Sequence, residues 1–218
     1  MAEPRVLSGP EAPDEPKTTR KPECRRRWPT PELAGVERPS ELLADGGVRL
    51  RRWFRGDGDE ALRVTTEALD HLAPWMAWAA DGYGRPEALK FIERSQADWD
   101  SGAAYNYAIL AEDGAAIGCC SLMARTGGFE IGYWLHPGHT GRGIATRAAR
   151  ALVGEAFRLG AGQVEIVHDA ANHASAAVPR RLGFTEVERR CPQQEPQAGA
   201  EVGVDVVWRR LAGPAAAG

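Results

Sequence analysis

The stretch from Phe129 to Ile144, FEIGYWLHPGHTGRGI, restricts the fold more than any other part of the chain. Its first residues read as a β-strand ending at Leu135. Pro137 has no N–H to give a ladder and stops the strand. A glycine-rich turn then delivers Gly141 and Gly143 to a helix that begins at Ile144. A helix N-terminus presents N–H groups without intrahelical partners and a partial positive charge. Glycines there let an anion approach the backbone, and Arg142 and Arg147 add formal charge, so the turn suits a phosphate. The same glycines also fit ordinary turn chemistry, and the residues alone leave both readings open. Two nucleotide folds are excluded. No GxxxxGK[ST] occurs, which removes a P-loop. A Rossmann turn needs a third glycine where Thr146 stands, and a second mononucleotide half; Asp169 mimics only its acidic position.

The flanks define the class. Tyr105 to Ala111, Ala116 to Met123 and Phe129 to Leu135 are strand-like runs. Glu112-Asp113-Gly114 and Thr126-Gly127-Gly128 separate them as hairpin turns, which predicts an antiparallel meander. Upstream, VRLRRWF from Val48 predicts a first strand. Ala61, Val64, Ala68 and Leu72 predict a helix ending near Pro74, and Pro86-Glu87 opens a second helix carrying Leu89, Ile92 and Trp99. Downstream, a helix from Ile144 to Leu159 leads to a strand from Gln163 to Val167. A helix from about Asn172 to Leu182 follows, then strands from Phe184 to Arg190 and Val202 to Leu211. One strand, two helices, three strands and then alternation give a mixed sheet with helices on its faces, an α/β (α+β) domain.

Composition matters most at the ends. The first 40 residues hold 8 of the 15 prolines and show no apolar period, which predicts a disordered Pro/Arg-rich tail over 1–45, a folded domain over 46–212 and a flexible C-terminus over 213–218. Within the tail, Arg20, Lys21 and Arg25 to Arg27 precede Trp28. Such a cluster makes weak contact with RNA or a ribosome, or is simply a solvated charge run. A net charge of −3 argues against the whole chain coating nucleic acid or an acidic membrane. No run without Asp, Glu, Lys or Arg exceeds 11 residues and no secretory core opens the chain, so the expectation is a cytoplasmic protein without a membrane span. Cys24, Cys119, Cys120 and Cys191 form no CxxC pair; adjacent Cys119 and Cys120 point to opposite faces of a strand, and structural thiols are expected.

TGRGIA, Thr140 to Ala145, resembles the acetyl-CoA motif [QR]-x-x-G-x-[GA] of the GNAT acetyltransferase superfamily, with Thr140 replacing the usual Gln or Arg. About 33 residues on, Asn172, Ser175 and then Leu182-Gly183-Phe184 match the second family signature. The similarity spans about residues 48–211. IGYWLHP, TGRGIAT and LAPWMAW resemble the Rim-type branch, the ribosomal-protein N-terminal acetyltransferases, which also holds enzymes acting on other amines. The resemblance implies a GNAT fold: a mostly antiparallel sheet splayed at its centre between two parallel strands, with helices on both faces. It further implies acetyl-CoA as co-substrate and a primary amine as acceptor, attacked directly in a ternary complex.

The resemblance also implies roles. An amine nucleophile must lose a proton, and Glu130 aligns with the glutamate that serves as base in histone-acetylating members of the family; a strand glutamate otherwise simply points to water. A backbone N–H at Leu135 or nearby would polarise the thioester oxygen, with His136 and Pro137 following it along the cofactor. Pyrophosphate would rest on Gly141, Arg142, Gly143, Ile144 and Ala145, near Thr146 and Arg147, and Asn172 would bond pantetheine or cap the helix that follows it. The Tyr that often protonates the leaving thiolate is replaced by Pro179, which leaves Ser175 as the hydroxyl candidate and predicts a kinked helix. His136, His139, His168 and His173 surround this region; acetyl transfer needs no metal, and exposed loop histidines are expected. Trp75, Trp78, Tyr83 and Trp99 come from helices that shape the acceptor pocket in the family, and half-buried packing is the plain reading of each. The rival reading is a non-catalytic GNAT-fold module that binds CoA or a metabolite or serves interaction, which Thr140 and Pro179 favour. The acceptor and the oligomeric state, a homodimer included, stay open.

Overall fold

Two left-handed glycines, Gly46 and Gly47 (φ 53° and 84°), close the first hairpin of the computed structural model, which describes residues 37–191 and 198–213. Positive φ at both central residues is the geometry that twists with the flanking strands. The turn joins β1 (Leu42–Asp45) to β2 (Val48–Arg52) in antiparallel register. β1 lies in the stretch that composition assigns to the tail, so the ordered domain begins earlier than expected. The reason is anchoring. Ser40 N–H donates to Glu155 Oε1 at 2.6 Å, Tyr107 Oη donates to the Ser40 carbonyl at 2.9 Å, and Leu43 packs against the core. The basic cluster before Trp28, like Cys24, lies outside the described residues.

The expected helix from Ala61 to Leu72 is two helices, α1 (Gly58–Glu67) and α2 (Leu69–Leu72). They are parted where Ala68 N–H closes a tight turn on the Thr65 carbonyl at 3.1 Å. A further short helix, α3 (Ala77–Ala80), follows Pro74. α4 (Arg85–Ser101) starts as expected: Glu87 Oε2 accepts the Gly84 N–H at 3.1 Å, Pro86 occupies the first turn, and Gly102 ends the helix at φ 75°. Its Ala88, Ile92 and Trp99 are buried.

β3 (Ala104–Leu110), β4 (Ala116–Arg125) and β5 (Gly128–Leu135) form the antiparallel meander. α5 (Ile144–Arg158), β6 (Gln163–Asp169), α6 (His173–Arg181), β7 (Thr185–Arg190) and β8 (Asp205–Leu211) complete an eight-stranded sheet of order β1-β2-β3-β4-β5-β6-β8-β7. α5 lays Ala148, Ala149, Leu152 and Val153 on the face that carries Leu50, Ile109, Leu122 and Ile131. α1 and α4 cover the other face through Ala61, Val64, Ala88 and Ile92. Cys119 and Cys120 are buried in these two separate cores, as strand alternation requires.

The sheet is antiparallel throughout except between β5 and β6, where pairing is parallel and lasts for only three residue pairs, Gly128–Gln163 to Glu130–Glu165. Glycine is needed at the join: a Cβ on Gly128 would lie 1.8 Å from the Gln163 carbonyl oxygen. Both strands run on past the last pair, so the sheet splits there. No helix among the described residues is long and apolar enough to cross a membrane.

Candidate active site

Beyond Glu130 and Glu165 the diverging strands enclose a cleft of about 490 Å³. One wall is β5 from Glu130 to Leu135 and the other is β6 from Ile166 to Asp169, with α6 contributing Asn172 and Ser175. The lining also includes the glycine turn and His71, Trp75, Glu201 and Asp205.

In the glycine turn, Gly141 and Gly143 hold φ of 74° and 71°. Gly143 is the N-cap of α5 and has no side chain with which to cap it; the first helical bond is Arg147 N–H to the Gly143 carbonyl at 3.1 Å. The amides of Ile144, Ala145 and Thr146 are therefore left without intrahelical partners. An adjoining recess of about 420 Å³ is walled by Thr146, Arg147, Arg150 and Arg181 beside the same glycines. Arg147 Nη2 donates to the Arg142 carbonyl at 3.1 Å, while its buried Nε has no hydrogen-bond partner. Unpartnered amides beside arginines are an arrangement that can receive an anion. Arg150 and Arg181 carry no motif and are found only from the fold.

Along the middle, His136 N–H donates to the Ile117 carbonyl of β4 at 2.8 Å. N–H direction alternates along a strand, so the Leu135 N–H points the other way, to the edge from which β6 has departed. Asn172 Oδ1 accepts the Ser175 N–H at 3.0 Å, so this asparagine caps α6 where nothing caps α5. Tyr133 Oη lies 3.1 Å from both the carbonyl and the hydroxyl oxygen of Ser175. Burial pushes the Tyr133 phenol up to about 12.

A strand pair that opens beside an uncapped, glycine-led helix has a counterpart in known proteins. The acetyltransferase (GNAT) domain family matches residues 48–185, more than half of the chain. The chain belongs to the GNAT acetyltransferases. It is 45% identical over 162 residues to YdaF of Bacillus subtilis (strain 168), named as a putative ribosomal N-acetyltransferase, across 71% of this chain and 75% of that protein. Among solved structures, RimL, a ribosomal L7/L12 alpha-N-protein acetyltransferase in complex with coenzyme A, superposes with a TM-score of 0.71 at 21% identity, covering 78% of this chain and 98% of that one. The microcin C7 self-immunity acetyltransferase MccE, in complex with acetyl-CoA and AMP, gives 0.70 at 22% identity over 77% and 94%. The expected fold class and family are both borne out.

In this GNAT domain the split sheet brings Glu130, Leu135, Gly141, Gly143, Ile144, Ala145, Thr146, Asn172 and Ser175 to one cleft. His136, Pro137 and Arg142 lie off its wall. The His136 ring accepts the Gly138 N–H at 3.1 Å and stands 4.0 Å from Glu67. Glu130 sits at the point of divergence, its Oε2 accepting from Arg125 Nε at 3.0 Å.

The histidines part company. His168, expected in an exposed loop, is buried in β6: Trp208 Nε1–H donates to its Nε2 at 2.9 Å, and Nδ1 meets the Asp169 carbonyl at 2.8 Å. An indole N–H only donates, so Nε2 is the acceptor and the ring proton belongs on Nδ1. His139 reaches the cleft, and burial, with Arg142 and His136 nearby, holds its imidazole below the usual range. Among the described residues no group of three or more His, Cys, Asp or Glu side chains is placed to hold a metal ion.

The aromatic residues also separate. Trp99 belongs to the core, Trp75 and Trp134 line the cleft, and Trp78, largely exposed, meets the Tyr83 ring edge-on and the Trp134 ring at a tilt. Asp169 was legible only as a false nucleotide signal. Its carboxylate instead accepts the N–H groups of Ala171, Val202, Gly203 and Val204 at 2.8–3.3 Å, tying the segment before β8 to the cleft. Those bonds also explain why β8 begins at Asp205 and not at Val202.

Proposed function

We propose that this acetyltransferase moves the acetyl group of acetyl-CoA to a primary amine, with a polypeptide N-terminus the favoured acceptor and small amines next, by direct attack in a ternary complex. The observation that carries the reading is the short β5–β6 pairing. It leaves the Leu135 N–H and the three α5 amides facing one continuous cleft that contains a carboxylate. In this reading the pyrophosphate takes the amides of Ile144, Ala145 and Thr146, with Arg147, Arg150 and Arg181 supplying charge. The Leu135 N–H donates to the thioester oxygen as it gains charge. Glu130 takes the proton that the attacking nitrogen must lose, and Ser175 faces the departing sulfur.

Direct attack is favoured over a cysteine intermediate for a physical reason. Cys119 and Cys120 are buried, desolvation pushes the Cys119 thiol up to about 11, and no cysteine lines the cleft among the described residues. The names of YdaF and RimL support a ribosomal protein as the polypeptide, and we place the reaction in the cytoplasm, where acetyl-CoA and ribosomal proteins meet.

A thiol-release assay with acetyl-CoA tests the reading, run against Ser- and Ala-initiated peptides, polyamines and aminoglycosides. The expected result is CoA release that depends on a peptide with a free N-terminus and is lost when that terminus is blocked. CoA binding without turnover on any amine would instead establish the non-catalytic module.

Gly143→Val tests the anion site. A β-branched residue at φ 71° is strained by about 1–2 kcal/mol, and its Cβ would meet Arg147 Nη1 at 3.3 Å. The expected outcome is an acetyl-CoA KM raised about tenfold, the kinetic equivalent of about 1.4 kcal/mol, with kcat at saturation little changed. Steady-state kinetics with acetyl-CoA as the varied substrate reads it directly.

A further inference from the structure

Pro179 lies inside α6, four residues after Ser175. In an α-helix the carbonyl of residue 175 accepts the N–H of residue 179, and proline has none. The Ser175 carbonyl is thus deprived of its helical donor at a half-buried position on the cleft wall. A donor arrives from across the cleft: Tyr133, on β5, places Oη 3.1 Å from that carbonyl. A carbonyl only accepts, so the single phenolic proton is directed there. The same Oη is equally far, 3.1 Å, from Ser175 Oγ, and the Ser175 N–H is already held by Asn172. The N–H and carbonyl of Ser175 are therefore both held by named partners, and its Oγ lies against Tyr133 Oη.

We propose that Tyr133 is a positioning residue: it supplies the donor that Pro179 lacks and, through its separate contact with Oγ, aims the Ser175 hydroxyl at the sulfur of the leaving group. The inference rests on the acetyl-transfer reading above. When the tetrahedral intermediate collapses, the C–S bond breaks and its electron pair stays on sulfur. Ser175 Oγ–H donates a hydrogen bond to that thiolate, and Tyr133, which donates to the Ser175 carbonyl and lies against Oγ, holds the hydroxyl in place. The attacking nitrogen loses two protons, one from the ammonium before attack and one from the tetrahedral intermediate, and each passes to Glu130 and then to water. CoA leaves as a thiolate that is protonated in solvent, so no tyrosinate forms. Desolvation of the Tyr133 phenol is consistent with a proton that stays.

Tyr133→Phe keeps the ring and deletes only the hydroxyl. It is expected to lower kcat about tenfold, the size of one lost hydrogen bond, while the acetyl-CoA KM stays within twofold. Ser175→Ala should lower kcat at least as much, and the double variant should be no slower than Ser175→Ala alone, because the two groups act as one unit. Pro179→Ala separates positioning from mere support. In Tyr133→Phe/Pro179→Ala the helix regains an N–H for the Ser175 carbonyl, so thermal stability should recover while kcat stays low. The kcat deficit of Tyr133→Phe should shrink with the selenoester analogue of acetyl-CoA, whose leaving group is a weaker base.

Recovery of kcat together with stability in the Pro179→Ala background would overturn the positioning role, as would full activity of Tyr133→Phe or purely multiplicative losses in the double variant. Absence of CoA release by the unaltered protein is a different result, and it would overturn the acetyl-transfer reading and this inference together.

Discussion

Replacing Glu130 with Gln is expected to lower kcat at neutral pH by about 10²–10⁴-fold, the range of a positioned general base. An α-amine with a pKa near 8 reaches the cleft mostly as an ammonium at pH 7, and its nitrogen attacks only after a proton has left. Glu130 stands where β5 and β6 part, and Arg125 orients its carboxylate at 3.0 Å. Gln preserves the shape and removes the basic oxygen. Raising the pH supplies free amine from solution, so the deficit should narrow between about pH 7 and pH 9.5 while the unaltered enzyme changes less. Stability should barely move, because a partly exposed ion pair contributes only about 0–1 kcal/mol. A pH–rate profile of both proteins, with melting curves as the control, reads the effect. A Glu130→Gln enzyme with the same profile as its parent would remove Glu130 from the chemistry and direct attention to Glu201 and Asp205, which line the same cleft.

Most of the sheet is legible in the residues, because alternation and turn glycines are local signals. The meander from β3 to β5, the start of α4 and the glycine-led entry to α5 all follow from side chains within a few positions of one another. What escapes the sequence depends on partners far along the chain. β1 looks like part of a proline-rich tail until Glu155 and Tyr107, 115 and 67 residues away, are seen to hold Ser40. α2 and α3 are single turns, too short to show a period.

The site divides along the same line. Gly141, Gly143 and Asn172 sit in motifs because backbone geometry demands those residue types. Tyr133 reads as one more aromatic in a strand, His168 as a loop histidine and Arg181 as a surface charge. Each gains its meaning from a contact across the sheet or the cleft. Pro179 is the instructive case: as a sequence feature it subtracts a phenol from the site, and the fold brings Tyr133 to the carbonyl that it exposes.

Asp169→Asn should produce the second large effect, on acceptor binding and stability together. Both carboxylate oxygens of Asp169 accept backbone N–H groups, and three of the four donors come from residues 202–204. Ala200 N–H of the same segment donates to the Pro74 carbonyl at 2.9 Å, so the segment bridges the end of β6 and the α2–α3 turn, with Glu201 at the cleft. An asparagine turns its NH₂ toward at least one of these donors and leaves it unpaired. With hydrogen bonds to a charged group worth about 1.5–3 kcal/mol each, a net loss of about 2–3 kcal/mol and a Tm lower by about 4–12 °C are expected. The acceptor KM should rise about tenfold or more while the acetyl-CoA KM is kept.

The pH dependence has a definite sign. Burial opposes the charged form, but the amides of Ala171, Val202, Val204 and Gly203 outweigh it and hold the carboxyl below its ordinary 3.8. A depressed carboxyl stabilises the fold fully above the unfolded value and loses that contribution as pH falls through the folded one. The Tm gap between the parent and Asp169→Asn should therefore be constant from pH 8 to about pH 5 and close below about pH 4. A gap that persists into acid would mean that charge is not what holds the segment. A lowered Tm with an unchanged acceptor KM would mean that the segment shapes stability and not the acceptor's binding.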